Sequence, residues 1–268
     1  MIPRCKFISL IFVAVSLIIS SSCLAETLNV TGRGVLQYTP PAELREKSLG
    51  ERIVYWAQTF LGTPYDTDPL GKYVREERIV ADDAVDCMYL TFRAVELALS
   101  QSQQEAQDKA LDLRFIGRGK LEGDRVVNYN ERFEYGEDMI DSGKWGREIT
   151  SELGRIAVIK GSRGRDKVSI IPKEELLRIA GPGKMASIGP LKDGDIIFFV
   201  KAPTRRIVGE IVGHIGIITI KEGTAYLLHA GGKKRSLGSS GGGIVKSEKL
   251  PEYIDNMGFA GARITRFE

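Results

Sequence analysis

Cysteine and histidine are scarce in this chain: its 268 residues hold 3 cysteines and 2 histidines. Two of the cysteines, Cys5 and Cys23, fall in the first 25 residues, which leaves Cys87 with no partner for a disulfide if that segment is removed. Charge of one sign is not in excess either. Lys and Arg number 38 against 35 Asp and Glu, a net charge of +3, and the two signs are interleaved, so no nucleic-acid partner is indicated. No internal repeat is visible. Long apolar runs are missing apart from Phe7 to Ile19, which is shorter than a membrane span requires. What is present is a chain with 43% hydrophobic and 8% aromatic residues, enough for one substantial core.

The first 25 residues read as a signal peptide. Arg4 and Lys6 form a basic start, the apolar run follows, and Cys23-Leu24-Ala25 places small residues before Glu26. Export to the periplasm is therefore expected, with residues 26–268 as a single domain. A second reading makes Cys23 a lipid-modified anchor, but Ser20 stands where such a motif usually has leucine. A lone thiol kept in an oxidising compartment invites a reactive role.

Cys87 opens an apolar helical pattern. Leu90, Ala94 and Leu97 share one face, Phe92, Val95 and Leu99 make the other side apolar, and Asp86 supplies an N-cap side chain. A thiol at a helix N-terminus feels the positive end of the dipole, so a lowered pKa and a nucleophilic role are expected. The alternative is a small hydrophobe in a core helix.

Both histidines, His214 and His229, lie in one apolar segment that reads as two strands joined through Lys221-Glu222-Gly223-Thr224. If Lys221 pairs with Thr224, His229 falls opposite Gly216, two residues from His214 and on the same face. One imidazole can then act as base while the other orients it. Two unrelated strand histidines are the alternative.

Elsewhere, residues 26–43 read as an extended lead-in, and a helix is expected from Leu49 to Phe60, with Ile53, Trp56, Ala57 and Phe60 on one face. Asp66 to Gly71 imitates part of a calcium loop, but Leu70 occupies a position that needs an oxygen ligand, so an ordinary turn is expected. Residues from about 100 to 190 hold a polar stretch and helical patches broken by glycines, with a short helix after Pro172. Gly181-Pro182-Gly183-Lys184-Met185 is not a phosphate loop, because Met185 replaces the required Ser or Thr. Gly231 to Gly243, with Lys233, Lys234 and Arg235, is either a solvated loop or the cationic border of a cleft. Ala262 to Phe267 alternates and is expected to close the sheet as its last strand.

Taken together, Leu61-Gly62-Thr63-Pro64-Tyr65, Asp86-Cys87, Asp193-Gly194-Asp195-Ile196-Ile197-Phe198-Phe199, His214-Ile215-Gly216-Ile217 and Leu228-His229-Ala230 resemble the NlpC-type papain-like cysteine peptidases of the bacterial cell wall. Asn130 to Tyr135, Asp138-Met139-Ile140 and Ile171-Pro172 resemble the N-acetylmuramoyl-L-alanine amidase-like branch. The resemblance implies an α+β, papain-like fold, with helices packed on a central antiparallel sheet; the 127 residues from Cys87 to His214 are long for its compact members, so residues from about 100 to 190 are expected to include an insertion that covers the cleft. It implies Cys87 as nucleophile, His214 as base and His229 as the residue that orients it, with substrate contacts from Tyr65, Asp86, Arg132 and Tyr135. Met88 stands where many relatives have serine, and Glu134 where closer ones often carry histidine. The implied activity is hydrolysis of peptidoglycan or muropeptides without a cofactor, as an amidase or as a γ-D-glutamyl-diamino acid endopeptidase. Two other readings stand beside it: a zinc site of Cys87, His214 and His229, and a non-catalytic wall-binding module.

Overall fold

Glu222 and Gly223 reverse the chain with φ of 49° and 75°, the left-handed pair whose twist suits a two-residue hairpin. Lys221 pairs with Thr224 and Ile217 with Leu228, which is the register expected from the sequence. This hairpin lies inside the sheet of a computed structural model that describes residues 40–181 and 190–268. The signal-peptide reading of residues 1–25, Cys23 included, falls outside the described residues, as do most of the lead-in and all but Gly181 of the Gly181–Met185 segment.

In chain order the helices are α1 (Leu49–Thr59), α2 (Lys72–Arg75), α3 (Cys87–Ala98), α4 (Gln103–Leu113), α5 (Gly136–Asp141), α6 (Lys173–Ala180) and α7 (Leu250–Asn256). The strands are β1 (Leu121–Glu122), β2 (Arg125–Val126), β3 (Arg147–Glu148), β4 (Ala157–Lys160), β5 (Lys167–Pro172), β6 (Ile196–Val200), β7 (Val212–Lys221), β8 (Thr224–Lys233), β9 (Gly242–Lys249) and β10 (Gly261–Arg266). β1 and β2 form a small separate ladder. The others make an eight-stranded sheet in the order β4-β5-β10-β6-β7-β8-β9, with β3 on β10. Every pair in it is antiparallel.

β6 shows how the layers arise. Its run Ile-Ile-Phe-Phe-Val is buried throughout, as a strand covered on both faces must be. Ile196 and Phe198 join Ile53 and Trp56 of α1 and Leu90 and Ala94 of α3. Ile197 and Phe199 face the other way, toward Leu176 and Ile179 of α6 and Leu250 and Ile254 of α7. Helices thus cover the sheet on both sides. No described helix is long and apolar enough to cross a membrane.

α1 starts where Ser48 and Glu51 close a reciprocal capping box, which satisfies two amides that the helix itself leaves open. Its first turn meets the entry to β6 very closely. A side chain on Gly194, whose φ is +80°, would come within 2.3 Å of Gly50 Cα, so both positions need glycine. The flanking acids of Asp193-Gly194-Asp195 are structural as well. Asp193 accepts from the Ile220 amide at 2.7 Å and Asp195 from Arg266 at 2.6 Å. Asp66 behaves as the turn residue expected, since its carboxylate accepts the amides of Asp68 and Lys72.

Two expectations are corrected. The terminal alternating strand, β10, is interior, held between β5 and β6, because strands from the 100–190 segment lie outside it. That segment, expected as a cover, enters the body of the fold: β4 and β5 extend the sheet, and Phe115, Tyr129 and Trp145 share a core with α3.

Four of the buried charged groups, Asp82, Arg93, Glu96 and Arg114, form one network. Arg93 binds Asp82 at 2.8 and 3.0 Å, and Arg114 binds Glu96 at 2.6 and 2.7 Å and donates to the Ile79 carbonyl at 2.9 Å. Arg93 links the two pairs through Glu96 at 3.3 Å, and Tyr89 donates to Asp82 at 2.9 Å. None of the four is more than 6% exposed. The network ties the cysteine helix to the end of α4 and to residues 79–82.

Candidate active site

Cys87 is the first residue of α3. Asp86 precedes it in extended conformation, and its Oδ1 accepts the Tyr89 amide at 2.8 Å, the N-cap read from the sequence. Asp86 Oδ2 is held by Lys234 at 2.8 Å, so the lysine-rich glycine segment reaches the start of the cysteine helix. The amides of Met88 and Ile215 lie close enough to the sulfur to favour its thiolate. Ile215 follows His214, which ties the cysteine to the first histidine through one residue of β7.

Burial pushes the Cys87 thiol up to about 12, and the neighbouring Asp86 carboxylate adds to this; the Ile215 and Met88 amides and Lys234 work against it. The lowered thiol expected from the helix N-terminus is thus not what the fold produces: Cys87 is half-buried, and the desolvation of its sulfur outweighs the amides and the dipole. Burial likewise drives His214 down to about 3, helped by His229 and Lys246. Both shifts favour the uncharged forms, the thiol of Cys87 and the imidazole of His214.

The histidines form a directed pair. His214 Nε2 lies 2.7 Å from His229 Nδ1, with the rings edge to face at 80°. The ladder between β7 and β8 runs no further than Ile217 and Leu228, just short of both imidazoles. His229 Nε2 lies 2.6 Å from Glu248 Oε1 on β9, and Lys246 Nζ is 2.8 Å from that same oxygen. Tyr253 of α7 packs against both rings, 6.0 Å from His214 and 5.2 Å from His229, and feels the charge of a Cys87 thiolate. Phe199 stacks on His214 from β6.

Tyr65 is placed by two backbone ladders. Its amide donates to the Gly243 carbonyl at 2.9 Å, and it bridges to Val85, two residues before Cys87. A side chain on Gly232 would strike its ring at 2.2 Å, and Lys234 sits 5.6 Å from the ring centre. Cys87, Asp86, Tyr65, His214 and His229 therefore come together. Arg132 and Tyr135 find their partners elsewhere. Arg132 is spent on the Tyr129 carbonyl and Glu134, and the Tyr135 ring lies under Arg163 at 3.6 Å.

A cleft of about 290 Å³ opens beside Tyr65, between Asp66, Lys72, Arg75 and Arg235. A larger hollow of about 460 Å³ near Lys144, Arg147 and Arg266 contains none of the clustered residues. Its cations are already committed: Lys144 to three carbonyls, Arg147 to Glu268 and Arg266 to Asp195. Of the clustered residues, Tyr65 alone lines the smaller cleft.

Glu248, Tyr253 and the Lys234–Asp86 contact were not anticipated from the sequence. A signal for Glu248 existed. Val245-Lys246-Ser247-Glu248 alternates, which puts Lys246 and Glu248 on one face of a strand.

No family model and no curated protein matches the chain. Solved structures do resemble it. An N-acetylmuramoyl-L-alanine amidase from Bacteroides uniformis is 20% identical, with a TM-score of 0.60 over 82% of this chain and 99% of that one. A Legionella pneumophila protein of the DUF1460 family is 15% identical, with a TM-score of 0.59 over 83% of this chain and 90% of that one. A Bacteroides fragilis protein described as a candidate xylanase is 20% identical, with a TM-score of 0.57 over 80% and 99%. At these identities the likeness establishes a shared fold of helices on an antiparallel sheet.

Proposed function

We propose that the protein is a thiol-dependent N-acetylmuramoyl-L-alanine amidase with a papain-like fold of the NlpC type, exported to act on peptidoglycan or muropeptides. The observation that carries this reading is the His214–His229 pair at 2.7 Å on β7 and β8, with the backbone of Ile215, next to His214, approaching a cysteine at a helix N-terminus. The sequence motifs and the resemblance to an amidase structure support the choice of bond.

His214 Nε2 is committed to His229, which leaves Nδ1 as the nitrogen free to serve the thiol. Cys87 loses its proton to that nitrogen as its sulfur forms a bond to the lactyl carbonyl of N-acetylmuramic acid. The Cys87 amide at the helix start is a donor for the resulting oxyanion. Collapse breaks the C–N bond, and the imidazolium returns its proton to the leaving amine of L-alanine. Water then attacks the thioester, gives its proton to His214, and releases the acid and the thiol. The uncharged forms of thiol and imidazole suit this route, because the charge separation arises only as the bond forms.

Digestion of defined disaccharide-peptides followed by mass spectrometry tests the bond. Free disaccharide and an intact stem peptide are expected. A disaccharide that still carries L-alanyl-D-glutamate would instead identify an endopeptidase.

A further inference from the structure

The mechanism just described does not use Glu248, although its carboxylate ends the line of hydrogen bonds that runs from His214 through His229. We propose that Glu248 is a positioning residue that sets the direction of the histidine pair, holding both imidazoles as Nε2–H tautomers. This rests on the cysteine-hydrolase reading of the site.

Strand register makes the contact. His229 pairs with Lys246 and Leu227 with Glu248, so Glu248 stands diagonally across from His229 on the adjacent strand, on the same face. Burial would raise the Glu248 pKa, but its bonds with Lys246 and His229 outweigh this and hold it below the ordinary carboxylate range. An ionised carboxylate can only accept. At 2.6 Å the proton of that bond must come from His229 Nε2. A neutral imidazole carries one N–H, so His229 Nδ1 is left with a lone pair. The 2.7 Å contact then requires His214 Nε2 to donate, and His214 Nδ1 keeps the lone pair that a base needs.

Without the carboxylate this direction is lost. The His214–His229 bond can form equally well with its proton on His229 Nδ1. That arrangement leaves the one proton of His214 on Nδ1, where it cannot accept from a thiol. A wrong tautomer held in good geometry is known to be costly in hydrolases that use a histidine base. Lys246 supports the device by pairing with the same carboxylate oxygen, which keeps the acceptor ionised next to a buried ring.

The test compares the full-length protein with Glu248→Gln and Glu248→Ala. Nitrogen-15 NMR of the imidazoles reads the tautomers without reference to turnover. The unaltered protein is expected to show Nε2–H on both histidines, and Glu248→Ala a mixture that includes His214 Nδ1–H. On muropeptides, Glu248→Ala is expected to lower kcat by about 100-fold with little change in KM. Glu248→Gln, whose amide oxygen can still accept, is expected to lose no more than about tenfold. Its acid limb of kcat/KM is expected to move to lower pH, since the charge that favours a protonated pair is gone. Nδ1–H on His214 in the unaltered protein, or an unchanged tautomer in Glu248→Ala, would overturn the proposal. So would unchanged kcat in both variants. Absence of Cys87-dependent turnover, with the tautomers as described, would instead count against the hydrolase reading alone.

Discussion

Cys87→Ala is expected to reduce hydrolysis of muropeptides to background, a loss of roughly 10⁴–10⁶-fold, because no other group in the site can form the acyl intermediate. Alkylation with iodoacetamide is expected to do the same, and a chelator to leave activity intact. The reverse pattern, in which activity survives alkylation and disappears with the chelator, would favour a metal site built from Cys87, His214 and His229. His214→Ala is expected to be nearly as damaging as Cys87→Ala, since nucleophile and base act as a unit, and His229→Ala less so. The pH dependence of alkylation follows from the thiol raised to about 12. A raised thiol is protonated over a wider range, so Cys87 in the free protein is expected to react more slowly than a small thiol near neutral pH. Its rate is expected to keep rising well above pH 8.5, where a free cysteine begins to level off.

Arg114→Met is expected to be the most destabilising single change outside the site. Glu96 would keep its charge in the core with Arg93 alone, at 3.3 Å, in place of the two contacts at 2.6 and 2.7 Å that Arg114 supplies. Stranding a buried charge costs about 3–5 kcal/mol, or a fall in Tm of about 10 °C for a chain of this size. The aromatic contacts of Arg114 with Tyr89 at 4.8 Å and Phe92 at 5.4 Å would be lost as well. Adding Glu96→Gln removes the stranded charge and is expected to recover part of the loss in thermal denaturation. A single variant as stable as the parent would show that the network does not hold α3 in place.

What could be read from the sequence was local. The hairpin register follows from two turn residues and the positions of two histidines, and the start of α3 from Asp86 and the apolar pattern after it. The non-local parts were not legible in the same way. Nothing in Ala262 to Phe267 indicates that strands from residues 157–172 will pair outside it, so an alternating strand near the chain end read as an edge. Arg93 and Glu96 lie in a helix that is buried on every side, and their opposite charges at i,i+3 were the available hint. Their other partners, Asp82 and Arg114, come from outside that helix. The thiol shows the limit most clearly. A helix N-terminus fixes the sign of one influence on Cys87, but the amount of water excluded from the sulfur depends on α3, β7 and Tyr65 meeting in three dimensions.

The reading of Cys87 as nucleophile and of the muramoyl–alanine amide as the bond cut converge on one intermediate. Intact-mass measurement of protein quenched in acid during turnover of a disaccharide-peptide would observe it, with peptide mapping to locate the adduct. A thioester on Cys87 with the mass of the disaccharide alone is the predicted result. An adduct that also contains L-alanyl-D-glutamate, an adduct on another residue, or turnover with no adduct at any quench time would contradict it.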